Sequence, residues 1–156
     1  MLFRSLATLA PQPASTVAIL GTWEPPHLGA QDRCAPRAGR ELQVYRLTGW
    51  VRRVDKVKED GDWHIELTER ADSPVDSCIV VEIPAPRYSP RYGRARAALD
   101  SLIAGRTISR GGALHRPVRA GITGAAFFDG QHRRGGRRSE ERRVGKECRS
   151  RWSPYH

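Results

Sequence analysis

The chain has 156 residues and a formal net charge of +10, with 27 lysine and arginine residues against 17 aspartate and glutamate residues. This length suits one domain with a modest core, and no apolar run approaches the ~20 residues that a membrane-spanning helix needs. The three cysteines include no Cys-x-x-Cys pair, so neither a zinc site nor another metal or cofactor is predicted.

Residues 6–40 are rich in proline, glycine and alanine without helical or strand periodicity, which predicts a linker or a loosely docked extension. Within this segment, residues 17–20 (VAIL) are apolar enough to add a short strand.

Patterned sequence begins at Glu41. Residues 41–58 predict the first main strand, because Val44, Leu47 and Trp50 stand among β-branched neighbours. Gly49 is expected to allow a bend or a bulge in this strand.

Two further strands follow a turn at Asp60-Gly61, which is a strong hairpin signal. In residues 62–69, apolar and polar side chains alternate, so one face is expected to be buried and the other polar. Residues 71–76 predict a turn. Residues 77–83 (SCIVVEI) are almost continuously apolar, which predicts a strand buried on both faces.

One helix is predicted after this strand, with Ser89 as the N-cap, Pro90 at the first helical position and Gly105 at the C-terminal end. Its apolar face would carry Tyr92, Ala95, Leu99, Leu102 and Ile103. Residues 107–116 predict a basic link. Residues 117–129 predict the fourth strand, and residues 131–137 a basic loop.

The predicted order, β-β-β-α-β, is that of an OB-like Greek-key barrel that lacks its final strand, in a domain spanning residues 41–130. The segments KEDGDWHIEL, VVEIPAPRYSP and ITGAAFFDGQH resemble a set of bacterial hypothetical proteins to which no activity is assigned. Members of that set continue with an ELHPV-like strand, which has no counterpart here. The resemblance implies the fold and no mechanism.

Both ends of the chain are expected to lie outside this domain. Residues 138–156, RSEERRVGKECRSRWSPYH, look like the codon-for-codon translation of a short-read sequencing adapter, and residues 1–5, MLFRS, like that of the opposite adapter. We therefore expect the native chain to continue differently after Arg137. Without these ends, the 27 basic and 17 acidic residues fall to 20 and 14, a net charge of +6 that only weakly supports nucleic-acid binding.

Four residues are candidates for acid–base chemistry. Asp62 and His64 lie on the polar face of the second strand, and Asp129 and His132 lie at the end of the fourth strand. A carboxylate beside an imidazole is able to position the ring as a general base. The alternative, which we favour, is that these are solvent-facing residues of an amphipathic strand and a turn.

A basic and aromatic cluster is the candidate binding surface. Its residues are Trp50, Arg52, Arg53, Lys56 and Lys58, with Glu66 on the neighbouring strand. OB-type domains bind single-stranded nucleic acid by stacking bases on aromatic rings above a basic groove. The alternative is that these residues form the solvent-exposed edge of a hairpin, where their charges prevent the sheet from pairing with another sheet.

The sequence thus favours a ligand-binding or accessory module over an enzyme. Two alternatives stay open: a small hydrolytic or metal-dependent enzyme that uses the Asp/His cluster, and single-stranded nucleic-acid binding. Neither a cytoplasmic nor an exported location is indicated. Cys34 and Cys78 are expected to be buried thiols rather than a disulfide.

Overall fold

The computed structural model describes residues 9–16, 42–56, 61–74 and 77–125, together with the backbone of Arg143–Val144. The described part is mainly β with one α-helix, which confirms that much of the predicted fold class. Its elements in chain order are β1 (Gln12–Ala14), β2 (Val44–Lys56), β3 (Trp63–Thr68), β4 (Cys78–Ile83), a 3-10 turn (Pro86–Tyr88), α1 (Pro90–Ile103), β5 (Ala113–Ala125) and β6 (Arg143–Val144).

The longest strands, β2 and β5, organise a mixed sheet. Strand β2 pairs antiparallel with β3 through residues 50–56 and with β5 through residues 44–53. Strand β1 pairs with β2 in parallel, at residues 45–47. Because β5 already occupies one edge of β2 there, β1 lies on the same edge as β3, beyond the point where β3 ends. Strand β4 completes the main sheet by pairing antiparallel with β3.

Two features differ from the predicted OB-like barrel. In the described residues β4 and β5 do not pair, so the sheet is open and no barrel is formed. The order is β-β-β-β-α-β, because β1 arises within the segment predicted to be a linker or loose extension. A strand of three residues is too short to show an alternating pattern, and its Pro13 is tolerated at a sheet edge, where no ladder hydrogen bond is lost. The strand suggested for residues 17–20 lies outside the described residues.

A two-residue strand, β6, falls within the adapter-like end of the chain, where the sequence predicts none. Its backbone pairs in parallel with β4, with Arg143 opposite Val80 and Val144 opposite Val81. It therefore occupies part of the edge of β4 that β3 leaves open.

The bulge in β2 is at Arg52, not at Gly49, because the register with both neighbouring strands shifts between Val51 and Arg53. Gly49 serves close packing instead. A Cβ atom at this position would lie 2.7 Å from the Thr68 carbonyl oxygen and 2.8 Å from Leu67 Cγ. The extra residue shifts the inward and outward alternation of side chains by one position. Apolar residues before and after the bulge therefore face the same core.

The core lies on one face of the sheet, under α1. The predicted apolar face of β3 is confirmed, since Ile65 and Leu67 are buried and Trp63 is partly buried. The opposite face is polar but not solvent-facing throughout, because Thr68 is completely buried and His64 and Glu66 are partly buried. Strand β4 is buried along nearly its whole length, as its apolar run predicts, and it includes the buried Cys78; Cys34 lies outside the described residues. The buried core residues are Tyr45, Leu47, Val51, Val54, Ile65, Leu67, Ile79, Val81, Leu99, Ile103, Leu114 and Val118.

Helix α1 begins and ends where the sequence predicts. The Ser89 side chain accepts a hydrogen bond from the backbone N–H of Arg91, and Pro90 is the first helical residue. Gly105, with a φ of +71°, follows the C-cap and allows the chain to leave the helix. Leu99 and Ile103 are its buried residues.

Arg96 attaches α1 to the hairpin that β3 and β4 form. Its guanidinium donates hydrogen bonds to the carbonyl oxygens of Ile83, at 2.9 Å, and Gly61, and its Cζ lies 4.7 Å from the centre of the Trp63 ring. Burial lowers the pKa of Arg96; the charge of Asp62 opposes this shift and that of Arg87 adds to it. An arginine nevertheless keeps its charge under all ordinary conditions.

Candidate functional site

A cleft of about 650 Å³ lies on the face of the sheet opposite the core. Arg46, Thr48 and Trp50 alternate with the buried residues of β2 and therefore point to this outer face. Arg119 of β5 is directly opposite Trp50 in the strand register. The volume is within the range of pockets that hold small ligands. The cleft is lined by Pro13, Ala14, Ser15, Arg46, Thr48, Gly49, Trp50, Glu69 and Arg119.

Trp50 is partly exposed in this cleft, whereas Arg46 and Arg119 are exposed. An indole that stood in the core would offer no ring face to a ligand. Here Trp50 lines a cleft that is also lined by two arginines, Arg46 and Arg119. The arrangement combines a stacking surface with two donors suited to anionic oxygens.

The N-terminal segment, residues 9–16, forms one wall of the cleft. Its attachment depends on Glu69, whose Oε2 accepts hydrogen bonds from the backbone N–H of Thr16, at 2.8 Å, and from Thr16 Oγ1, at 2.7 Å. Thr16 is completely buried. The carboxylate that lines the cleft is thus engaged by the wall itself, which reduces its repulsion of an anionic ligand.

Replacing Glu69 with alanine is expected to release this wall. Hydrogen bonds to a charged group contribute about 1.5–3 kcal/mol, so exchange of the Gln12 and Ala14 backbone amides with deuterium should become at least about tenfold faster. Asp72→Ala is the matched control, because Asp72 is an exposed carboxylate nearby that pairs only with the exposed Arg70 among the contacts described. Equal exchange rates in Glu69→Ala and the unmodified protein would show that the wall does not depend on Glu69.

The predicted basic cluster is dispersed into separate intramolecular contacts. Arg52, at the bulge, donates to the Ser73 carbonyl oxygen, and Arg53 Nη1 lies 3.6 Å from Glu66 Oε1. Lys56 Nζ lies 3.2 Å from Asp100 Oδ1 and 4.3 Å from the centre of the Trp63 ring. Lys58 lies outside the described residues. Of the predicted binding residues that the structure describes, Trp50 is the one that lines the cleft.

His64 contacts a buried carboxylate that the sequence did not single out. Its Nε2 lies 3.1 Å from Glu82 Oε1, with 22% of the histidine side chain exposed and none of the glutamate side chain. The two residues are directly opposite each other in the pairing of β3 with β4. The register also places His64 four residues from Thr68, which is opposite Trp50. The His64 pair is therefore roughly 13 Å along the sheet from the cleft.

Of the other acid–base candidates, Asp62 is the one that the structure describes. Asp62 Oδ1 accepts a hydrogen bond from the backbone N–H of Ala85 at 3.1 Å and so fastens the start of β3 to the end of β4. Asp129 and His132 lie outside the described residues. Among the residues that are described, no group of three or more His, Cys, Asp or Glu side chains is placed to hold a metal ion. The described helix is also too short and too polar to cross a membrane.

The two arginines of the cleft were not predicted as site residues, for different reasons. Arg46 is four residues before Trp50 in β2. Because side chains an even number of residues apart point to the same face of a strand, the sequence pattern was sufficient to place both on one face. Arg119 is 69 positions away from Trp50 in the chain, and only the register of β2 with β5 brings them together. Comparisons with protein-family models, with curated proteins and with solved structures found no match.

Proposed function

We propose that this domain is a ligand-binding module whose site is the cleft around Trp50. The observation that carries the proposal is a partly exposed indole placed directly opposite an exposed arginine, in a cavity large enough for a small molecule. Such a site favours a ligand with a flat ring and an anionic group. The ring stacks on Trp50, while one of the two arginines, Arg119 or Arg46, binds the anion.

We further propose that the open sheet belongs to an OB-like barrel that one more strand closes. Strands β4 and β5 run in opposite directions, since β3 is antiparallel to both β2 and β4 and β5 is antiparallel to β2. A strand that fits between them must be parallel to one and antiparallel to the other. Strand β6 runs parallel to β4 and hence in the sense that would pair antiparallel with β5. Either direction would meet this condition, so the support comes from the pairing itself, which shows that this edge of β4 accepts a further strand.

Adenosine monophosphate is a suitable first probe because it joins a flat ring to a phosphate. In ¹H–¹⁵N spectra of the full chain, we expect it to shift the Trp50 indole signal, which a Trp50→Phe variant identifies by its disappearance. Adenosine and inorganic phosphate, each tested alone, should produce smaller shifts because each uses half of the site. An unchanged Trp50 signal at millimolar adenosine monophosphate would refute a ring-and-anion site.

A further inference from the structure

We infer that the ligand of this cleft is single-stranded nucleic acid, which lies along β2 and β5 with one base stacked on Trp50. The inference rests on the proposed function and extends it from one anionic group to a row of them. It is carried by the spacing of the cationic groups, the open floor between them and the distribution of charge on the outer face.

The two arginines of the cleft stand in different cross-strand rows. Arg119 shares a row with Trp50, whereas Arg46 is opposite Thr123. These rows are four residues apart along the strands, or roughly 13 Å. A ligand with one anionic group would engage one of these rows. A chain of phosphates reaches both, and places a base over Trp50 at the same time.

The row between the arginines is low and open. It consists of Thr48 opposite Gly121, and a Cβ atom at Gly121 would meet no other atom within 4 Å. A sugar–phosphate backbone is therefore able to pass close to the sheet between Arg119 and Arg46. A side chain larger than threonine in this row would interrupt that path.

Charge on the outer face directs a polyanion along β5 and away from β4. Arg46 and Arg119 are exposed, and His115 is a further exposed residue on the same face of β5. Glu69 lies in the cleft but is engaged by Thr16, and further carboxylates of this face stand at the other side, where Glu66 is close to Arg53 and Glu82 contacts His64. Because stacking and phosphate contacts do not depend on base identity, we expect little sequence preference.

The test measures binding of the full chain to a fluorescein-labelled oligothymidylate of about ten nucleotides, a length within the site size of one OB-type domain. Fluorescence anisotropy over a range of salt concentrations gives both affinity and salt slope. Trp50→Leu should weaken binding about tenfold, whereas Trp50→Phe retains a ring and should lose less. Arg119→Gln and Arg46→Gln should each lower the slope of log K against log salt by about 0.7, the value for one phosphate contact on a single strand.

Arg94→Gln is the matched control, since Arg94 is exposed on α1 and its loss removes the same charge. The basic residues at the C-terminal end are present in every variant and add the same background. Circular dichroism melting identifies any variant that does not fold. Binding that is equally strong in Trp50→Leu, Arg119→Gln and Arg94→Gln would overturn the inference.

Mononucleotides separate this inference from the proposed function. If thymidine monophosphate competes for the cleft as tightly as the oligonucleotide, the ligand is a small anion with a ring; the inference fails and the proposed function stands. If neither the mononucleotide nor the oligonucleotide perturbs the Trp50 signal, both fail. Tight binding of the oligonucleotide that is lost in Trp50→Leu, together with weak binding of the mononucleotide at the same Trp50 signal, supports both.

Discussion

Replacing Gly112 with alanine is expected to destabilise the domain by about 2–5 kcal/mol. Gly112 has a φ of +85°, which costs an ordinary residue about 1–2 kcal/mol. A Cβ atom there would also overlap the Val54 carbonyl oxygen and lie 3.1 Å from its carbon, which adds an overpacking cost of about 1–3 kcal/mol. Thermal unfolding should show a midpoint lowered by more than about 10 °C.

Two neighbouring glycines separate the two causes of this effect. Gly105 has a φ of +71° with no atom within 4 Å of an added Cβ, so Gly105→Ala should lose about 1 kcal/mol through the backbone alone. Gly111 has open space as well, and its φ is not in the left-handed region; Gly111→Ala should leave the midpoint nearly unchanged. A Gly112→Ala midpoint equal to that of Gly105→Ala would show that the overlap with Val54 is relieved without cost.

The Gly112 variant also tests how the cleft is built. The carbonyl oxygen of Gly112 accepts a hydrogen bond from the Val54 N–H at 2.9 Å, directly before β5 begins. This contact connects the entry of β5 to β2. Where Gly112→Ala still folds, we expect ligand binding to weaken along with stability.

Leu67→Ala is expected to cost about 2–5 kcal/mol, because the leucine has no exposed surface and its truncation leaves a cavity in the core. Its Cγ also lies against the position of Gly49, underneath the strand that carries Trp50. Urea unfolding should show a lower midpoint with a similar slope.

Leu42→Ala is the control for this substitution, since Leu42 is 51% exposed and loses the same atoms. Its free energy of unfolding should stay within about 0.5 kcal/mol of the unmodified protein. Similar losses in Leu67→Ala and Leu42→Ala would mean that Leu67 is not part of a tightly packed core.

Local patterns were sufficient to predict most of the elements. The alternation in residues 62–69 and the apolar run at residues 77–83 identified β3 and β4, because period and composition are properties of adjacent residues. Ser89, Pro90 and Gly105 bounded α1 for the same reason. The bulge was misplaced to Gly49, because glycine is compatible with both a bulge and a close strand approach and only the neighbouring strand distinguishes them.

The candidate site was predicted only in part. Trp50 was identified as a stacking surface, but the basic residues next to it in the chain are held by contacts elsewhere, at Ser73, Glu66 and Asp100. The sequence by itself determined that the segments of β2 to β5 are strands, that α1 is a helix, and which of their faces is apolar. Tertiary structure alone decided that Arg119 meets Trp50, that Glu82 meets His64 and that β1 forms a wall. Each of these depends on the register between distant strands, and a slip of one residue would turn the side chain to the opposite face.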